Sequence, residues 1–223
     1  MQQIQLELAG GGTLTVCLRA SLDAMPTVKQ RPLVLVVPGG GYSHVSPREG
    51  DPVALQFAAA GYHTAVLTYS VGEGAQNYRP LRQLNEALAL LRQNAGEWHI
   101  LPDKIAVCGF SAGGHLALSA AVLDIPGETA QQRPNAVILG YPVITAGEFA
   151  HRGSFRSLTG TDDIAAHQPH SLENLVTPDT PPTFLWHTWT DGAVPVENTL
   201  LMAMALHKAG IPAEVHVFPR GGH

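Results

Sequence analysis

Gly109-Phe110-Ser111-Ala112-Gly113 decides how this chain folds. It reads G-x-S-x-G, follows the apolar run Ile105-Ala106-Val107-Cys108, and opens a segment rich in alanine and glycine. A strand that turns sharply into a helix lifts a serine hydroxyl clear of the sheet, and glycines on either side let backbones pass without a Cβ clash. The same five residues in a random loop would mean little. Here the preceding strand, the following helix and the downstream acidic and histidine residues are all in order.

Working outward, residues 33–37 are a continuous Leu and Val run, the pattern of a strand buried on both faces. Residues 4–8 and 14–18 alternate apolar and polar side chains around Gly10-Gly11-Gly12, which predicts an antiparallel hairpin with one wet face. Further strands are predicted at 63–69, 136–139, 183–186 and 213–218. Helices are predicted at 53–60, with Asp51 as N-cap and Pro52 at its first position, and at 81–91, 112–123 and 196–209. Strands alternating with helices imply right-handed crossovers and a mostly parallel sheet, with the hairpin at its antiparallel edge and helices on both faces. The fold class is α/β. Between Pro142 and Pro182 the periodicity dissolves into Gly, Pro, Thr, Asp and His. That stretch reads as a small cap or lid insertion, the alternative being an ordinary surface excursion.

Composition narrows the function. The 223 residues fit one domain, numbered 1–223, and a chain of this size buries roughly 70–75% of its unfolded surface. The net charge of −5 is mild and only 14% of residues are charged, with no basic cluster, so neither nucleic acid nor an anionic membrane surface is expected as a partner. No apolar run approaches the ~20 residues of a membrane span, and Met1-Gln2-Gln3-Ile4-Gln5 lacks the basic and apolar regions of a secretion signal. Cys17 and Cys108 are expected as buried thiols rather than a disulfide. The expected compartment is the cytoplasm.

A serine hydroxyl is a poor nucleophile near neutral pH and needs a base, which in turn needs an orienting partner. In a strand–elbow–helix the partners follow in the order Ser, Asp or Glu, His. Asp191 follows the strand at 183–186, and His223 follows the strand at 213–218 through Gly221-Gly222. Asp124, Asp162, Asp163 and Asp179 are weaker candidates, as solvated or capping residues. His115 reads as a packing histidine, His187 as a core or pocket histidine, His207 as a helix histidine and His216 as an in-strand one. Cys108 reads as a core residue. The oxyanion of acyl transfer needs preorganised N–H groups. One is expected from Ala112, and one from Gly40 or Gly41 in Pro38-Gly39-Gly40-Gly41-Tyr42, where three glycines leave the amides unobstructed. A phosphate-cradling role fails because no Gly-Lys-Ser/Thr follows. Tyr42, residues 71–78 and residues 142–182 are the expected pocket walls, with Tyr42 the named substrate-binding side chain.

These residues, together with Arg48-Glu49-Gly50-Asp51-Pro52-Val53-Ala54, Tyr69-Ser70-Val71 and Gly113-Gly114-His115-Leu116-Ala117, resemble the α/β-hydrolase superfamily. More narrowly, the chain resembles the small bacterial acetyl-xylan-esterase-like and lipase/esterase group, near the hormone-sensitive-lipase-type carboxylesterases. The resemblance implies a serine esterase acting on small-molecule short-acyl esters, often acetyl groups on sugars, with no cofactor and no metal. Where many hormone-sensitive-type relatives begin the oxyanion motif with histidine, this chain has Pro38. Relatives also continue past the catalytic histidine into a final helix, whereas His223 is the last residue. The chain therefore reads as a fragment lacking that helix, with weak or no activity expected of it as it stands and a competent enzyme expected of the complete protein. Two other readings stay open: a serine peptidase of the prolyl-oligopeptidase type, and a non-catalytic binding protein on the same scaffold.

Overall fold

The computed structural model describes residues 1–20, 28–129 and 131–223. Among these residues eight strands form one sheet: β1 (Gln2–Leu8), β2 (Gly12–Leu18), β3 (Arg31–Val37), β4 (His63–Thr68), β5 (Ile100–Phe110), β6 (Ala136–Gly140), β7 (Thr183–Thr188) and β8 (Ala213–Phe218). Their spatial order is β1-β2-β4-β3-β5-β6-β7-β8. β1 pairs antiparallel with β2, and β2 antiparallel with β4, while every later pairing is parallel. The predicted α/β architecture, a mostly parallel sheet entered through an antiparallel hairpin, is the one observed.

Among the described residues six α-helices flank the sheet: α1 (Asp51–Ala59), α2 (Arg79–Gln93), α3 (Ser111–Val122), α4 (Arg152–Thr159), α5 (Ile164–His167) and α6 (Glu197–Lys208). The parallel strands bury alternate side chains on opposite faces. Leu33, Leu35, Val37, Val107, Leu139 and Leu185 meet α2, α3 and α6 in the main core. Val34, Val36, Cys108 and Phe110 meet α1 through Ala54, Val53 and Phe57. α2 buries Leu81, Leu84, Leu88 and Leu91, spaced as one helical stripe. All twelve residues of α3 are buried, and its small side chains are what allow that. Among the described residues no helix is long and apolar enough to cross a membrane.

Three elements differ from the sequence reading. β5 starts at Ile100 rather than Ile105, because its first half is broken by exposed Pro102, Asp103 and Lys104 and by a register shift against β3 between Arg31 and Leu33. α1 starts at Asp51 itself, with Gly50 as N-cap, since a 3-10 turn (Pro47–Glu49) runs directly into it. The Asp51 carboxylate then sits in the first turn, where the helix dipole favours it. Residues 142–182, expected to lack pattern, contain α4, α5 and two 3-10 turns (Gln168–His170 and Leu172–Asn174). α4 buries Ser154, Phe155 and Leu158, and α5 buries His167. Such short helices present too few buried positions for a 3.6-residue period to be legible.

Candidate active site

The site lies beyond the carboxyl ends of β3, β5, β7 and β8, where open parallel sheets leave a crevice. β5 ends at Phe110, and Ser111 takes the left-handed φ of 53° as α3 begins. This conformation is costly for a residue with a Cβ and points the hydroxyl outward. The glycines of the motif are sterically required. A Cβ on Gly109 would stand 2.2 Å from the Gly113 carbonyl oxygen, and one on Gly113 would stand 2.2 Å from that of Val37. The elbow is thus clamped between its own helix and β3.

Ser111 Oγ lies 2.9 Å from His223 Nε2, and His223 Nδ1 lies 2.8 Å from Asp191 Oδ2. A carboxylate only accepts, so the imidazole proton is assigned to Nδ1, leaving the Nε2 lone pair for the serine hydroxyl. Asp191 Oδ1 accepts the backbone N–H groups of Ala193 at 2.9 Å and Val194 at 3.0 Å. Burial pushes the Asp191 carboxyl up, but the bonds from His223, Ala193 and Val194 outweigh it and hold the group below the ordinary carboxylate range. His223 keeps its place through Thr188 and Thr190, whose hydroxyls each donate to the Gly221 carbonyl at 2.9 Å. The Tyr141 ring also stands edge-on to the imidazole, at a centroid distance of 4.8 Å.

The Pro38–Tyr42 loop arrives beside Ser111 from β3. Gly40 holds φ at 121° and Gly41 at 64°, and the Gly40 carbonyl accepts from Ser43 N at 3.0 Å and His44 N at 3.2 Å. Gly39 N–H is taken by Glu49 Oε2 at 2.8 Å. Among the described residues no acceptor takes the N–H of Gly40 or Gly41. Ala112 supplies the N–H that directly follows the serine in α3.

A cavity of about 360 Å³ opens onto this arrangement. Its walls include Ser43, His44, Arg48, His151, Ala193 and His223, with Ser111 at the base. Tyr42 is not among them. Its side chain is 1% exposed and turned into the core, where its hydroxyl lies 2.8 Å from His115 Nδ1. Tyr42 is therefore a core residue rather than the expected substrate contact, and Ser43 and His44 take the wall position. From residues 71–78, Tyr78 packs on the His170 ring instead. His115 donates from Nε2 to the His170 carbonyl at 2.9 Å, and burial, partly offset by that bond, lowers its pKa to about 3.

The competing acids and histidines have other partners. Asp124 pairs with Arg133, Asp162 pairs with Arg156, and Asp163 caps α5 by accepting from Ala165 N. Asp179 is exposed. His216 pairs with Glu214, and His207 is exposed on α6. Cys108 is buried in β5, its thiol pushed up to about 12 by burial.

Glu49, Tyr141 and His151 escaped the sequence reading, and His187, read there as a core or pocket histidine, takes a definite place. His187 is fully buried, and its Nε2–H faces the Val194 carbonyl at 3.0 Å and Asp191 Oδ2 at 3.2 Å, while Nδ1 accepts from Thr199 Oγ1 at 2.8 Å. It braces the Asp191 carboxylate from behind. Glu49 and Tyr141 meet through a 2.9 Å hydrogen bond beneath the glycine loop. His151 caps α4, its Nδ1 accepting from Ser154 N at 3.3 Å. Neither Glu49 nor Tyr141 carries a motif of its own, although Glu49 lies within Arg48-Glu49-Gly50-Asp51-Pro52.

This fold and this arrangement define an esterase-like α/β hydrolase. The chain belongs to the BD-FAE family, whose model matches residues 23–139. It is similar to "Endo-1,4-beta-xylanase B" of Butyrivibrio fibrisolvens, 38% identical over 87% of this chain and 32% of that protein. It is also similar to "Acetylxylan esterase" of Xylanibacter ruminicola, 32% identical over 85% of this chain and 40% of that protein. The chain thus spans about a third and two-fifths of these two relatives. A solved acetyl ester-xyloside bifunctional hydrolase from Caldicellulosiruptor lactoaceticus matches with a TM-score of 0.86 at 40% identity, covering 96% of this chain and 79% of that one. The carboxylesterase Cest-2923 from Lactobacillus plantarum matches with a TM-score of 0.86 at 32% identity, covering 100% of this chain and 85% of that one.

Proposed function

We propose that the protein is a serine carboxylesterase that removes short acyl groups, acetyl above all, from hydroxylated alcohols such as sugars. The observation that carries this reading is the unbroken line Ser111–His223–Asp191, with contacts of 2.9 and 2.8 Å, at the base of a polar cavity. His223 takes the Ser111 proton as Oγ attacks the ester carbonyl carbon. The carbonyl oxygen becomes an oxyanion, held by the N–H groups of Ala112 and of Gly40 or Gly41. Asp191 holds the Nδ1–H tautomer and stabilises the imidazolium. His223 then protonates the leaving alcohol, and the acyl group stays on Ser111. Water, deprotonated by the same imidazole, attacks the acyl-enzyme and releases the acid.

The sugar preference rests on the walls and on the company the chain keeps. Ser43, His44, Ser46, Arg48 and His151 present hydrogen-bonding groups to the cavity. Ser154 N donates to His151 Nδ1, which leaves the Nε2–H of that ring to the cavity as a donor. Two relatives carry names that join esters to xylan or xylosides. Residues 142–182 act in this proposal as a small cap that contributes His151. We assign the protein to the cytoplasm, in line with the free thiols of Cys17 and Cys108.

The test is hydrolysis of p-nitrophenyl acetate, of longer acyl esters and of acetylated xylo-oligosaccharides, with a fluorophosphonate probe for the nucleophile. Acetate turnover together with probe labelling that vanishes in Ser111→Ala supports the reading. Labelling that survives in that variant rejects it.

A further inference from the structure

Beneath the glycine loop lies a carboxylate with no part in the steps above. Glu49 closes the 3-10 turn Pro47–Glu49 and is 4% exposed. A glutamate is seldom buried unless its oxygens are met by donors, and here they are met from two directions. Oε2 accepts Gly39 N–H at 2.8 Å. Oε1 accepts the Tyr141 hydroxyl at 2.9 Å. The largely exposed Arg48 guanidinium approaches Oε1 at 3.5 Å.

Each partner leads to a different part of the reaction. Gly39 starts the loop that carries Gly40 and Gly41, and it is packed so closely that a Cβ there would stand 2.8 Å from Glu49 Oε2 and 2.9 Å from Ser111 Cβ. With Gly39 N–H occupied, the N–H groups of Gly40 and Gly41 remain without an acceptor among the described residues. Tyr141 follows β6 and presents its ring edge-on to His223, 4.8 Å between centroids. The same segment is tied to the elbow, because Val143 N donates to the Ser111 carbonyl at 3.0 Å.

We propose that Glu49 is a positioning residue for ester hydrolysis, one carboxylate oxygen setting the oxyanion loop through Gly39 and the other setting the wall of His223 through Tyr141. This proposal rests on the esterase reading of the site. The role is geometric: a negative charge beside a developing oxyanion would oppose the reaction, so Glu49 acts by where its oxygens lie. An apolar residue in its place would orphan the Gly39 N–H and free the loop. A misplaced oxyanion donor weakens transition-state binding while leaving ground-state binding nearly intact.

Two conservative variants separate reach from charge. Glu49→Gln loses the charge but keeps the length, with its amide oxygen accepting from Gly39 and its NH2 meeting the Tyr141 oxygen. Glu49→Asp keeps the charge but is one methylene too short to reach both partners. With p-nitrophenyl acetate, kcat of Glu49→Gln should fall less than about fivefold, and kcat of Glu49→Asp about tenfold to a hundredfold, with KM within about threefold in both. Tyr141→Phe, which keeps the ring and loses the anchor, should fall between them. Near-wild-type kcat in Glu49→Asp overturns the proposal, as does Glu49→Gln proving the worse of the two, or a loss confined to KM. Circular dichroism establishes that each variant is folded. Ser111→Ala, run alongside, reports on the esterase reading itself: its inactivity with an unaffected Glu49→Asp sinks the role of Glu49 alone, and its retained activity sinks the reading of the site.

Discussion

His223 Nε2 stands 2.9 Å from Ser111 Oγ across a sequence separation of 112 residues. Every turn that brings them together is held by a specific contact: the glycines around Ser111 on one side, and the Thr188 and Thr190 bonds to Gly221 on the other. Ser111, the proposed nucleophile, sits in a strained elbow, and His223, its proposed base, hangs on a short loop held by Thr188 and Thr190.

The strain at Ser111 predicts an unusual pair of variants. Both Ser111→Ala and Ser111→Gly should lower ester hydrolysis by at least about a thousandfold. At an ordinary helix position glycine is about 1 kcal/mol worse than alanine. Here φ is 53°, so glycine relieves backbone strain of about 1–3 kcal/mol and should equal or exceed alanine in stability. Thermal unfolding of the two variants measures this, and a glycine variant that melts clearly below the alanine one would refute the strained elbow.

Asp191→Asn should lower kcat by about 10³–10⁴ with the fold intact. The asparagine oxygen can still accept from Ala193 and Val194, which turns the NH2 group toward His223 Nδ1 and the His187 Nε2–H. Donors then meet where an acceptor stood. The His223 proton moves to Nε2, and the lone pair that should receive the Ser111 proton is lost. NMR of the imidazole nitrogens reports the tautomer directly, and an unchanged tautomer would defeat the explanation.

The fold was legible because its signals are local. The buried runs at 33–37 and 105–108, the alternating hairpin and the leucine stripe of α2 each declare their element over a few residues. That Ser111, Asp191 and His223 come together was legible for a related reason: each lies just past a strand end. Glu49 and Tyr141 were not, because their roles exist only across elements. Glu49 meets Tyr141 across 92 positions, and nothing in either residue's neighbourhood announces the other. Tyr42 was misplaced for the same kind of reason. Its adjacency to the glycine loop suggested the cavity, while φ of 57° turns the chain so that its ring enters the core.

Gly40→Ala should abolish activity at a modest cost to the rest of the fold. A Cβ there would lie 2.1 Å from the His44 carbonyl oxygen, at a φ of 121° that alanine resists. The loop must open, carrying its N–H groups away from the oxyanion position. Expected is loss of turnover with fluorophosphonate labelling slowed in parallel, since that adduct uses the same donors. Wild-type labelling in a folded Gly40→Ala protein would show that the loop does not supply them.

The buried histidines make the protein sensitive to acid. Burial lowers His115 to about 3 and, together with His167, lowers His170 to about 4, against an unfolded value of about 6.5. A depressed pKa means that the unfolded chain binds the proton more readily. The stability these neutral rings contribute is therefore complete above about pH 6.5 and is lost as pH falls toward 4 and then 3. Within that window His115 alone costs about 1.4 kcal/mol per pH unit. Asp191, held below the usual carboxylate range, has the same sign, its contribution present above the ordinary carboxylate range and lost as pH falls below it. His115→Gln, whose amide can serve both Tyr42 and the His170 carbonyl, should flatten the fall of melting temperature between pH 7 and pH 5. An equally steep fall in that variant would show that the ring is not the group being protonated.

His151 should separate sugar esters from simple ones. It caps α4 with Nδ1, a task asparagine performs well, so His151→Asn should leave stability within about 0.5 kcal/mol. What the substitution removes is the Nε2–H at the cavity wall. A neutral hydrogen bond is worth about 1–1.5 kcal/mol, which corresponds to a roughly tenfold loss of kcat/KM for an acetylated xylo-oligosaccharide. p-Nitrophenyl acetate has no hydroxyl to offer that donor, and its kcat/KM should change less than about threefold. The ratio of the two substrates is the measurement, because it cancels any general damage to Ser111 or His223. An unchanged ratio would remove His151 from the proposed sugar-binding wall and leave the proposed preference to Ser43, His44 and Arg48.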